Sequence, residues 1–134
     1  MSNPERDAGS GVITKTGTFD SVDAAADRLI ALVEARGLSL FAIIDHSAEA
    51  KRHGLNLRDT KVVIFGSPVA GTPVMQATPL SALDLPLKVL VWDDEGAIRI
   101  GYTDPEALAG RYHLSQELAG RLAGINDLTD LLVA

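Results

Sequence analysis

Lys61–Thr78 reads KVVIFGSPVAGTPVMQAT. Val62, Val63, Ile64 and Phe65 form a short apolar run rich in β-branched side chains, as a buried strand requires. The run stops at Gly66-Ser67-Pro68, and a second Gly-Thr-Pro follows at Gly71-Thr72-Pro73. Proline at a first helical position costs little, because that N–H has no helical partner. The stretch predicts a strand and then a helix starting near Ser67, with Pro73 interrupting or restarting it. A strand that empties through glycines into a helix can turn backbone N–H groups toward an anion. The plainer reading of the same residues is a structural turn with a helix cap.

The flanking segments extend this alternation. Val12–Thr18 is β-branched and predicts a strand. Asp20 or Ser21 can cap the helix that follows, where Val22, Ala25, Ala26, Leu29, Leu32 and Val33 recur at helical spacing. Gly37 stands where a C-terminal cap belongs. Leu40–Ile44 predicts another strand, and Ser47 can cap a short helix closed by Gly54. Leu87–Trp92 and Ala97–Tyr102 predict a hairpin through Asp93-Asp94-Glu95-Gly96. Thr103-Asp104-Pro105-Glu106 is a helix start. Leu118, Leu122, Ile125, Leu128 and Leu132 predict an amphipathic C-terminal helix or helix pair, weakened by Gly120 and Gly124. This order predicts an α/β (α+β) two-layer sandwich, with a mixed sheet of about five strands and helices packed mainly on one face.

Bulk properties narrow the function classes. At 134 residues, one domain is expected. Residues 1–11, MSNPERDAGSG, carry no apolar run and predict a disordered leader before a single α/β domain over 12–134. Aromatic residues make up 4% of the chain, so the core must be aliphatic. The net charge of −6 and the lack of a basic cluster argue against nucleic acid as a partner. The absence of cysteine excludes disulfides, thiolate nucleophiles and Cys-ligated metals, and fits a cytoplasmic location. No apolar run approaches the length of a membrane span.

The chemistry-bearing residues are few. Gly66 and Gly71 have the G-x-x-x-x-G spacing of a phosphate loop. The Lys and Ser/Thr that must follow are replaced by Thr72 and Pro73, which excludes nucleotide hydrolysis of that type. Ser67 lacks the flanking glycines of a nucleophile elbow. Gly66, Ser67, Gly71 and Thr72 remain candidates for holding a small polar or anionic ligand. Asp45-His46, Glu49 and His53 have a metal-like look, but helical geometry separates the two histidines by about 10.5 Å along the axis. One zinc ion does not comfortably bridge that span. His46, at a strand end, is a candidate general acid/base, against a surface-helix reading. Lys88, opening an apolar strand, is either a lysine with a lowered pKa or one that snorkels at a sheet edge.

Pairing Trp92 with Ala97 puts Val91 opposite Ile98 and Val89 opposite Ile100 on a core face. The other face then carries Lys88, Leu90, Trp92 and Arg99. A solvent-facing strand alternates with polar residues, whereas this face keeps Leu90 and the only tryptophan. Either helices cover it, or Leu90, Trp92 and Arg99 form an interface with a second copy.

Across Phe19–Tyr112 the chain resembles the domain-of-unknown-function 302 family. The resemblance rests on Arg36-Gly37 after the first helix, Ile44-Asp45-His46-Ser47, Val63–Pro73, Asp84–Trp92 and Tyr102-x-Asp104-Pro105. It implies a small bacterial or archaeal α/β domain, often dimeric, with no agreed activity and no catalytic residues to carry over. Ser67 departs from the Asn expected there. Three functions follow as expectations: a homodimer that binds a small ligand, an enzyme using His46 with Lys88, or an assembly module without catalysis. No cofactor or metal is specified.

Overall fold

Ser21 accepts a hydrogen bond from the Ala24 amide at 3.0 Å and starts α1, Val22–Ala35. The buried stripe of α1 is Val22, Ala25, Ala26, Leu29 and Val33, the spacing the sequence showed. Gly37, at φ +69°, ends it; the Gly37 and Leu38 amides donate back to Glu34 and Val33. A side chain there would be strained. In the computed structural model, which describes residues 4–134, the strands are β1 (Glu5–Asp7), β2 (Val12–Gly17), β3 (Ser39–Asp45), β4 (Thr60–Gly66), β5 (Leu87–Asp94) and β6 (Ala97–Thr103). The helices after α1 are α2 (His46–Arg52), α3 (Pro68–Ala77), a 3₁₀ turn at Pro79–Leu83, α4 (Pro105–Tyr112), α5 (Gln116–Leu122) and α6 (Gly124–Val133).

The fold is α+β, with six strands in the order β1-β2-β6-β5-β4-β3. Every neighbouring pair is antiparallel, so the sheet is not the mixed one expected. The reason lies in the connections. Gly66 leaves β4 at the end where Leu87 enters β5 opposite Phe65, and Asp45 leaves β3 where Lys61 sits opposite it in β4. Both of these excursions return to the end they left, whereas a parallel neighbour requires a crossing to the far end. α1 makes such a crossing, but the strands it joins, β2 and β3, lie on opposite sides of the sheet and are not neighbours.

Three local expectations change. Residues 5–7 of the expected leader form β1 on the β2 edge, where backbone pairing and an Arg6–Asp104 ion pair at 2.5 Å hold them; residues 1–3 lie outside the described residues. The hairpin turn is the two-residue Glu95-Gly96, both with positive φ, so Trp92 faces Arg99 and Val91 faces Ile100. That register differs from the expected one by two positions, and an even slip leaves each side chain on its expected face. Asp45, not Ser47, caps α2 by accepting from the Ala48 amide at 2.9 Å. Ser47 Oγ donates to Asp45 and accepts from the Thr60 amide instead.

One sheet face meets α1 and α6 in a core that includes the aliphatic Ile13, Val63, Val89, Val91 and Ile100 and the aromatic Phe65, each 0–2% exposed. A smaller cluster of Val74, Leu108 and Leu122 joins α3, α4 and α5, and Leu87 packs against both. Lys15, only 4% exposed, pins α6 to β2. Its ammonium donates to the Asn126 carbonyl at 3.2 Å, Thr129 Oγ1 at 2.7 Å and Asp130 at 2.8 Å, which uses all of its donors. Lys15→Ala leaves Thr129 Oγ1 and the Asn126 carbonyl with only their contacts inside α6 and removes the tie between α6 and β2, and is expected to cost about 1–3 kcal/mol in urea unfolding. Asp130→Asn, at a carboxylate that is 66% exposed, is expected to cost under about 1 kcal/mol.

Candidate ligand site

β4 delivers Phe65 and Gly66 to the start of α3, where Ser67 accepts from the Ala70 amide at 3.3 Å. The Ser67 carbonyl also takes the Ala70 and Gly71 amides, and Pro68 has none. The Ala70 and Gly71 amides of the predicted anion nest are therefore engaged in starting the helix. α3 runs through Pro73 without a break. What the loop contributes is a wall. Gly66, Ser67, Gly71 and Thr72 all line one cavity of about 510 Å³.

The rest of the wall comes from distant segments. Phe65, Leu122, Ile125 and Leu128 are its buried residues, 1–4% exposed. Leu85, Pro86 and Leu87 bring in the approach to β5, and Met75 the next turn of α3. Phe41, 52% exposed, reaches it from the bulge in edge strand β3. Arg36 and Arg121 line it from the ends of α1 and α5. The lining is mostly hydrocarbon.

Asp84 anchors the Leu85-Pro86 approach. It accepts a short hydrogen bond from the Tyr112 hydroxyl and one from Arg111 at 2.8 Å. The Tyr112 hydroxyl first, and the Arg111 guanidinium after it, hold the Asp84 carboxyl below the usual range. The same contact pushes the Tyr112 hydroxyl up.

The acid–base candidates lie elsewhere. His46 opens α2, is exposed, and lines neither this cavity nor a second, polar cleft of about 350 Å³ beside α2. That cleft holds Lys61 paired with Asp23 at 2.6 Å and with Asp45 at 4.0 Å. Hydrogen bonding to Asp23 raises the Lys61 pKa; the Ala48 amide is the main cause that lowers that of Asp45. His46 and His53 flank α2, and among the described residues no group of three or more His, Cys, Asp or Glu could hold a metal. Lys88 is exposed, paired with Ile64 in the ladder, and lines neither cavity.

Leu90, Trp92 and Arg99 share the outer sheet face with Val62 and Ile64. All are half-buried and none belongs to either buried cluster. The Trp92 ring lies against Gly101, where an added Cβ would stand 3.4 Å from it. Arg99 Nε lies 2.9 Å from Asp94, an ion pair without hydrogen-bond alignment.

The family profile described as Domain of unknown function DUF302 matches residues 13–129. The chain belongs to the DUF302 family. A crystal structure of an uncharacterized conserved DUF302 protein from Bacillus stearothermophilus superposes with a TM-score of 0.78 at 18% identity, over 92% of this chain and 95% of that one. Such a likeness speaks to the fold. Two proteins named Fluoride-specific ion channel FluC 1, from Brucella suis biovar 1 and Brucella abortus biovar 1, are 38% identical over 106 residues. The match takes in 78% of this DUF302 chain but spans only 41% and 39% of those longer relatives. No helix among the described residues is long and apolar enough to cross a membrane.

Of the residues that line this cavity, the sequence singles out those of Gly66–Thr72 but not Arg36, Arg121, Phe41 or the Leu85–Leu87 approach. Nothing in their spacing signals that they meet. The Asp84 clamp has a stability consequence. A carboxyl whose folded pKa is depressed contributes stability above its unfolded pKa, and that contribution is lost as pH falls through the folded value. Stability measured by urea unfolding should therefore decline below about pH 4, and Asp84→Asn should flatten that decline while lowering stability at pH 7.

Proposed function

We propose that this DUF302 domain is a small-molecule-binding module that encloses an apolar ligand body between the Gly66–Thr72 wall and the α5–α6 side chains. The observation that carries the reading is the cavity itself. Its volume lies within the range of about 300–1,000 Å³ common to ligand sites, and all four loop candidates line it. The hydrocarbon lining changes the ligand from a purely polar one to one with an apolar body. A binding role is favoured over catalysis because His46 and Lys88 line neither cavity and lie on separate elements. We assign no reaction and no cofactor. The absence of cysteine supports a cytoplasmic setting. Channel activity, named for the longer Brucella proteins of which the match spans 41% and 39%, is not proposed for this chain.

Gly71 offers the test. A Cβ there meets nothing closer than Met75 at 3.9 Å, and its φ is not positive, so a side chain fits without backbone strain. Gly71→Phe adds a ring at the cavity wall, and should weaken ligand binding at least about tenfold while leaving the melting temperature unchanged or higher. Full binding by a folded Gly71→Phe variant would remove the loop from the site.

A second reading concerns assembly, and the apolar outer face favours it. Val62, Ile64, Leu90 and Trp92 form a continuous patch across β4 and β5, and Ile44 extends it onto β3. A second copy of the chain is the proposed partner, with Arg99 at the patch edge. Light scattering should find a dimer, and Leu90→Arg with Trp92→Lys should yield a folded monomer. A wild-type monomer, or a variant that stays dimeric, contradicts this interface.

A further inference from the structure

The cavity's charge is the reverse of the chain's. Among the described residues its only charged lining residues are two arginines, Arg36 and Arg121, and no carboxylate lines it. The whole chain carries 18 acids against 12 bases. Arg36 is exposed and has no ion pair among the described residues. Arg121 has Glu117 one helical turn away at 3.9 Å, a solvent-exposed pair that contributes little. Two guanidiniums beside a hydrocarbon wall are thus available to a ligand. Their planar forks match the oxygens of a carboxylate or phosphate.

We infer that the ligand is a single-tailed amphiphile, its alkyl chain against Phe65, Leu122, Ile125 and Leu128 and its anionic head on Arg36 and Arg121. This rests on the cavity being the ligand site. The hydrocarbon wall selects for tail length, at about fourfold in affinity per buried methylene. The arginines select for charge, at about tenfold or more over a neutral head of the same tail.

Isothermal titration of the full chain with decanoate, dodecanoate, decyl phosphate and 1-decanol tests this. At least one of the two ten-carbon anions should bind about tenfold tighter than 1-decanol, and dodecanoate tighter than decanoate. The stronger of decanoate and decyl phosphate separates a carboxylate from a phosphate head. The exposed positions allow an Arg36→Gln, Arg121→Gln double variant, expected to lose the anion preference and keep its affinity for 1-decanol. If 1-decanol binds as tightly as the anions, the charged head is overturned while the cavity reading stands. If the double variant keeps the preference, the arginines are not the head site. If none of these probes binds, the cavity reading itself falls.

Discussion

The constraint on which this structure depends is an antiparallel sheet that is apolar on both faces. Val63, Phe65, Val89, Val91 and Ile100 must be taken out of water on one side; Val62, Ile64, Leu90 and Trp92 remain half-buried on the other. α1 and α6 satisfy the first demand. They are held to the task by polar contacts at their margins: Lys15 to the α6 backbone and side chains, Tyr102 to Asn126 at 2.7 Å, and Arg28 to the Leu131 and Leu132 carbonyls. A charged side chain can be buried here only because each of its protons finds an acceptor.

The cavity lies where that coverage thins. α3, α4 and α5 bury their own small cluster around Val74, Leu108 and Leu122, and Leu87 is the side chain that joins it to the main core. Between the two clusters a space of about 510 Å³ is left, walled by residues from both. Gly66 at the end of β4 and Gly71 in the first turns of α3 put no side chain on that wall, and Asp84, tied to Tyr112 and Arg111, keeps the Leu85-Pro86 approach in place. A helix start that looked like an anion nest has its Ala70 and Gly71 amides taken by Ser67, and the charged side chains that line the cavity are arginines.

Much of the fold was legible in the sequence. The α1 stripe, the β4 run ending at Gly66, and both faces of the β5–β6 hairpin follow from periodicity alone, and the faces survive a wrong turn length because side-chain parity has period two. The antiparallel ladder was not legible, because strand direction depends on which sheet end each helical excursion returns to. β1 was hidden by a polar composition that a solvent-exposed edge strand shares with a disordered segment. At the site, Gly66–Thr72 announced itself through its glycines and prolines. Arg36 and Arg121 did not, since single arginines near helix ends are common and only packing brings these two to one cavity.

The most direct test of the central claim is an amide NMR titration of the full chain with decanoate. Gly66, Gly71 and Gly124 line the cavity, while Gly54 and Gly96 lie in turns outside it. The account predicts saturable shifts at the first three, with the other two unmoved. Saturable shifts confined to Gly54, Gly96 or the outer-face residues, or none at all, would contradict it.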